Sequence, residues 1–211
     1  MRLPESLQDP DDSRALAALV RYYGEDGSRP SSYTGARFDT WDSTGTRPAD
    51  QDKFTADDLV AVSFLSVDVP AAAAIQLLDT KADEFSRLLE ELGSDRDLAD
   101  VTEPWDETWA GSRLWVGLVG LPGVGATTAS KLFARKRPRL RPIYDSVVAE
   151  VIGSTSIWEP LRAALVADPN LQARLLRLRD KANLPDEVSA LRVFDVVAWI
   201  EGKDRLSSTA R

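Results

Sequence analysis

The chain of 211 residues contains no cysteine, no histidine and a single methionine. Without cysteine there is no disulfide framework, iron–sulfur cluster, thiolate zinc site or sulfur nucleophile. Without histidine there is no Ser-His-Asp triad and no imidazole base, so acid–base chemistry falls to Asp, Glu, Lys or Tyr, with carboxylates the best remaining option. No apolar run of membrane-spanning length and no secretory leader pattern occurs, so the expected location is cytoplasmic, with no membrane partner. Convincing strand alternation is missing too, as is any internal repeat.

What is present suits a folded globular protein: 43% hydrophobic residues, six tryptophans, and a length that can bury a core unaided. Residues 1–12 are polar and Asp-rich and read as a flexible arm. A first helix follows, with Ser13 as N-cap, an apolar stripe of Ala15, Leu16, Leu19 and Val20, and Gly24 as its stop. Residues 25–53 read as a long loop, whose aromatic middle "SYTGARFDTW" suggests a hydrophobic strap over the core or part of a binding-site wall. Thr55 opens the next helix, with Asp57 and Asp58 in its first turn. Pro70 starts another, and "TKADEFSRLLEELG" a third, with Thr80 as N-cap and Gly93 as terminator. Further helical stretches continue through "ATTASKLFARK", "DSVVAEVIG" capped by Asp145, "SIWEPLRAALVA", "DPNLQARLLRLRDKAN" and "PDEVSALRVFDVVAWIEG", and residues 205–211 read as a frayed tail. The expected fold class is all-α, one helical domain over 13–204.

Charge is unevenly placed. The formal net charge is −8, yet Thr108 to Tyr144 contains no acidic residue. That window carries Arg113, Lys131, Arg135, Lys136, Arg137, Arg139 and Arg141, a local +7 that leaves −15 for the remainder. A concentrated basic patch on an acidic body reads as an anion site, or more blandly as a solvated helix end and loop.

Inside that window lies "LVGLPGVGATTASKL". Gly120 and Gly125 have P-loop spacing, but Ala126 stands where the phosphate-binding lysine belongs, which argues against nucleotide hydrolysis. The glycine spacing does not fit a dinucleotide-binding turn either. A plain connection between two helices explains Gly and Pro but not the basic surroundings.

The segment "LPGVGATTA" resembles the hairpin of the helix-hairpin-helix DNA-binding motif, here spanning about 109–136, in the form found in the helix-hairpin-helix base-excision DNA glycosylase superfamily. In that superfamily a catalytic aspartate lies twenty residues beyond the second glycine of G-V-G and opens the next helix. Gly125 plus twenty is Asp145, in "RPIYDSVV". The resemblance implies a helix-hairpin-helix glycosylase-like helical domain that binds DNA. It implies backbone contacts from Gly123, Val124, Gly125, Thr127, Thr128, Lys131, Arg135, Arg137 and Arg139, and Asp145 as catalytic carboxylate. It also implies a possible monovalent cation on the carbonyls of Val119, Leu121 and Val124. Thr127 occupies the position of the lyase lysine, which implies a monofunctional hydrolase, and Glu150 stands where an arginine is common. A flipped base needs aromatic walls, for which Tyr144, Trp105, Trp109 and the Tyr33–Trp41 loop are candidates. No cofactor is required, and an iron–sulfur cluster is impossible. Two classes stay open: a DNA glycosylase acting in base-excision repair, and a non-catalytic DNA-binding or protein-interaction module on the same fold.

Overall fold

A computed structural model describes residues 1–24 and 32–209, apart from the Thr209 side chain, and the part of the expected loop at 25–31 lies outside the described residues. The described chain is all-helical. In order come α1 (Glu5–Gln8), α2 (Ser13–Tyr23), α3 (Ala56–Ser63), α4 (Ala71–Ile75), α5 (Ala82–Leu92), α6 (Ala110–Val119), α7 (Ala126–Lys136), α8 (Ser146–Ile152), α9 (Trp158–Ala167), α10 (Pro169–Lys181) and α11 (Ala190–Thr209). A π-helical turn, Gln76–Thr80, continues α4 directly, and Lys81 rather than Thr80 precedes α5. The single domain expected over 13–204 is organised as two compact units: Met1–Ala36 with Pro142–Arg211, and Arg37–Arg141.

In the first unit α11 is the central element, with α2, α8 and α10 packed on it. Leu19, Leu175, Leu178, Val148, Val151, Val193, Phe194 and Val197 supply its apolar interior. Gly202 sets how closely α8 approaches, because a Cβ there would lie 2.4 Å from Val147 Cγ1. The expected arm at 1–12 is tied down instead. Leu7 is buried, and Glu201 accepts the main-chain N–H groups of Glu5 and Ser6 at 3.0 and 3.2 Å. Those carboxylate bonds satisfy donors that a one-turn helix cannot pair internally. Asp12, not Ser13, is the N-cap residue of α2, and its carboxylate holds Arg174 and Lys181 at 2.9 and 2.8 Å. The tail expected to fray over 205–211 is helical through Thr209, and its last two positions, 210–211, lie outside the described residues.

The second unit is built on α3 and α5–α7, whose interior holds Phe54, Leu77, Phe85, Leu89, Leu114, Leu118, Leu132 and Phe133. Its organising feature is polar. Arg135, Lys136 and Arg137, at the C-terminal end of α7, are all buried, at 3%, 6% and 1% exposure. Asp58 lies between two of them: Oδ1 accepts from Arg135 Nε at 3.1 Å and Oδ2 pairs with Lys136 Nζ at 2.5 Å. Oδ2 also accepts the Thr55 main-chain N–H at 2.9 Å, so one carboxylate caps α3 and neutralises part of α7. The remaining donors go to carbonyls. Arg135 Nη1 reaches Phe38 O at 2.6 Å and its Nη2 the carbonyl of Trp41. Lys136 reaches Asp50 O at 3.0 Å, and Arg137 reaches Gln51, Leu89 and Gly93 carbonyls at 2.8–2.9 Å and the Asp52 carboxylate. Of the segment expected as a strap, 32–41, residues 37–41 are held in this unit by buried Phe38 and by Arg135, and the neighbouring cations clamp the loop that continues to 53. Burial holds the Lys136 ammonium below the ordinary lysine range, with Asp58 opposing the shift.

Beside this cluster, the Arg139 main-chain N–H is shared between both oxygens of Asp95 at 3.1 and 3.2 Å. Burial pushes the Asp95 carboxyl up to about 6 despite that bond and the nearby guanidinium charges.

Both carboxylates are open to direct measurement. Asp58→Ala leaves two buried cations without their carboxylate and should cost about 3–5 kcal/mol in chemical denaturation. A loss below about 1 kcal/mol would mean the cluster is effectively solvated. Asp95 binds its proton more tightly folded than unfolded. Its stabilisation is complete below the ordinary aspartate value of 3.8 and is lost as pH rises through about 6. Urea titrations between about pH 4 and pH 7 should therefore show a flatter decline for Asp95→Asn than for wild type.

Candidate nucleic-acid interface

The hairpin forms where "GLPGVG" cannot continue a helix. After α6, Leu121 and Val124 turn inward and are buried, while Pro122, Gly123 and Gly125 stay exposed. The turn closes through Val124 N–H donating to Leu121 O at 3.1 Å. Gly123 has φ +72°, and a Cβ there would meet Pro70 Cγ at 2.9 Å, so both conformation and space call for glycine. Gly125 is the N-cap residue of α7, with φ −90° and open space where a Cβ would stand. Among the described residues no side chain caps that end of α7. Its first-turn N–H groups have no intrahelical acceptor and lie behind exposed Gly125 and Ala126, an arrangement that favours an anion. Of the expected backbone contacts, Val124 is buried, Thr127 is half-buried, and Thr128 is 8% exposed.

The basic window is corrected by the structure. Lys131 is 3% exposed and donates to Leu65 O at 2.8 Å, while Arg135 and Arg137 spend their donors on the strap and on α3 and α5. These three side chains are structural cations, turned inward because main-chain carbonyls and Asp58 accept from them there. Arg139 is half-exposed but paired with Asp97 at 2.8 Å, and Arg113 is paired with Glu91. The local +7 is therefore largely compensated inside the fold and is not a free phosphate-binding face.

The aromatic candidates separate as well. Trp109 is 6% exposed, precedes α6 and packs edge-on to Trp105 at 5.3 Å, so it is a core residue rather than a pocket wall. Trp105 is 39% exposed. Behind it lies Arg141, whose guanidinium sits 4.0 Å from the Trp115 ring centroid, 5.2 Å from Trp105 and 5.6 Å from Phe133. Burial pushes Arg141 down to about 9, and the ring faces supply the compensating attraction. Tyr144 is half-buried in the segment leading to Asp145.

Asp145 belongs to the first unit and the hairpin to the second. The aspartate is half-buried and is the N-cap of α8: Oδ1 accepts Val147 N–H at 2.9 Å. Among the carbonyls named for a cation, that of Leu121 already accepts the Val124 N–H. Among the described residues no cluster of three or more carboxylates could hold a metal. Sequence reasoning passed over Asp58, because a Thr-x-x-Asp pattern reads as an ordinary helix start, and over Arg141, which reads as one more member of the basic run.

No curated protein and no solved structure shows significant similarity to the chain. A family model described as a family of unknown function, DUF6308, matches residues 15–202, and the chain belongs to that family.

Proposed function

We propose that this protein binds DNA through the backbone of the 120–127 hairpin and that Asp145 serves a monofunctional base-excision reaction. The observation that carries the reading is the exposed turn with left-handed Gly123 leading into the uncapped N-terminus of α7. Such a turn lets a phosphate approach main-chain N–H groups closely. With Lys131, Arg135 and Arg137 occupied internally, this grip is made by dipoles more than by full charges. Few counterions are released by such a contact, so the salt dependence of binding is shallow, with a log–log slope of about −1 to −2.

The chemistry would fall to Asp145. As the glycosidic bond of an extruded nucleotide breaks, the departing base takes the bonding electrons and C1′ of the deoxyribose becomes cationic. A carboxylate stabilises that charge and orients the water whose oxygen adds to C1′, its proton passing to solvent or to the base. A half-buried aspartate at a helix N-terminus suits such a role. The same geometry also suits a capping residue alone, and the internal use of the basic window favours a binding module without catalysis as the second reading.

Two variants test the parts separately. Gly125→Asp places a carboxylate in open space at an N-cap, where it should leave stability unchanged or slightly raised. It should nevertheless weaken binding of a labelled DNA duplex by about tenfold or more, by repelling the phosphate. Binding equal to wild type would remove the hairpin from the interface. Asn at position 145 preserves the cap. Asp145→Asn should still bind duplex DNA but lose excision by about a hundredfold or more, assayed on duplexes carrying uracil, alkylated, oxidised or mismatched bases. Absence of excision by wild type across that panel would leave the binding module as the function.

A further inference from the structure

A groove of about 750 Å³ in the second unit lies between α5, α6 and residues 105–107, and its lining ends on α6 at Gly117, just before the hairpin turn. Glu84, Arg87, Leu88 and Glu91 line it from α5, at the spacing that places side chains on one helical face. Ser112, Arg113, Val116 and Gly117 face them from α6. Gly117 lets α6 pack closely on α5 beneath the groove, for a Cβ there would stand 3.2 Å from Cε1 of buried Phe85. Val116 is 67% exposed and Trp105 39%, an unusual degree of apolar exposure along one groove.

The groove is acidic. Glu84, Glu91, Asp106 and Glu107 outnumber Arg87 and Arg113. Arg113 is already paired with Glu91, and Arg87 Nε bonds its own helix at Asp83 O. Hydrogen bonds from Thr108 hold the Asp106 carboxyl below the usual range, so it stays ionised. Glu84 and Glu107 are exposed. Trp105, with the caged Arg141 guanidinium on its inner side, is a supported ring offered at the rim.

We propose that this groove docks a basic amphipathic helix of a partner protein. Charge complementarity selects the occupant, and the spacing specifies it further. Glu84 and Glu91 are seven residues apart on α5, about 10 Å along the axis; lysines or arginines at i and i+7 of a helix lying alongside match them, the second by displacing the exposed Arg113 from Glu91. Bulky apolar residues at i+3 and i+4 of that helix then meet Trp105, Leu88 and Val116. A polyanion is repelled from the same surface.

The test is fluorescence anisotropy of a labelled 14-residue Lys/Leu peptide of helical amphipathic pattern, with a Glu/Leu counterpart. Wild type should bind the basic peptide and not the acidic one. Glu84→Lys/Glu107→Lys should weaken binding by about tenfold or more. Asp68→Lys/Glu187→Lys changes net charge equally at exposed positions outside the groove and should change binding less than about twofold. Val116→Asp should weaken it through the apolar contact. Equal losses in the two double variants would show attraction to overall charge alone and overturn the proposal, as would binding of the acidic peptide or no binding at all.

Discussion

One carboxylate, Asp58, shared between Arg135 and Lys136, decides how the second unit is assembled. It starts α3, ends the unpaired state of two cations, and leaves their remaining donors pointing at the strap. Arg137 repeats the device with the carbonyls of Gln51, Leu89 and Gly93. A strap poor in secondary structure has main-chain carbonyls that cannot be left dry, and guanidinium groups with five N–H donors satisfy several at once. The cations also sit at the C-terminal end of α7, where the helix dipole favours them. Hydrophobic burial fills this unit, but buried cations dictate the path of the chain around it. The cost of desolvating them is offset only while every partner is in place.

That arrangement changes what the run of positive charge means for function. A free basic face would bind nucleic acid broadly and steeply with salt, whereas an internal one would leave the DNA binding proposed above to the geometry of the hairpin. On an acidic body, an interface built on main-chain N–H groups is local and demands close approach. The exposed carboxylates of the α5–α6 groove sharpen the contrast, since they disfavour polyanions over that surface.

Much of the fold was legible. The all-helical class followed from apolar spacing, and Thr55, Pro70, Gly93 and Asp145 each punctuate the chain as their chemistry predicts. The aromatic strap was legible from Phe38 and Trp41 in a Gly- and Ser-rich setting. Three features were not. The division into two units depends on long-range packing that no local pattern encodes. The turn at Glu5–Gln8 depends on Glu201, almost the whole chain away in sequence. Above all, Arg135, Lys136 and Arg137 carry no sign of their burial, because a basic run at a helix end looks the same whether its partners are solvent, phosphate or carbonyls. The hairpin's shape could be read from Gly123 and Gly125, but the destination of the flanking charge could not.

The place of Asp145 is inherited from a residue far from it in sequence. Val147 and Val151 of α8 rest against Gly202 of α11, where a single additional carbon would collide. A methyl at 202 would have to lift the helix whose first turn the aspartate caps. The position of the carboxylate is thus set by the missing side chain on the opposite helix, and a change of one carbon atom in the interior would be felt at Asp145.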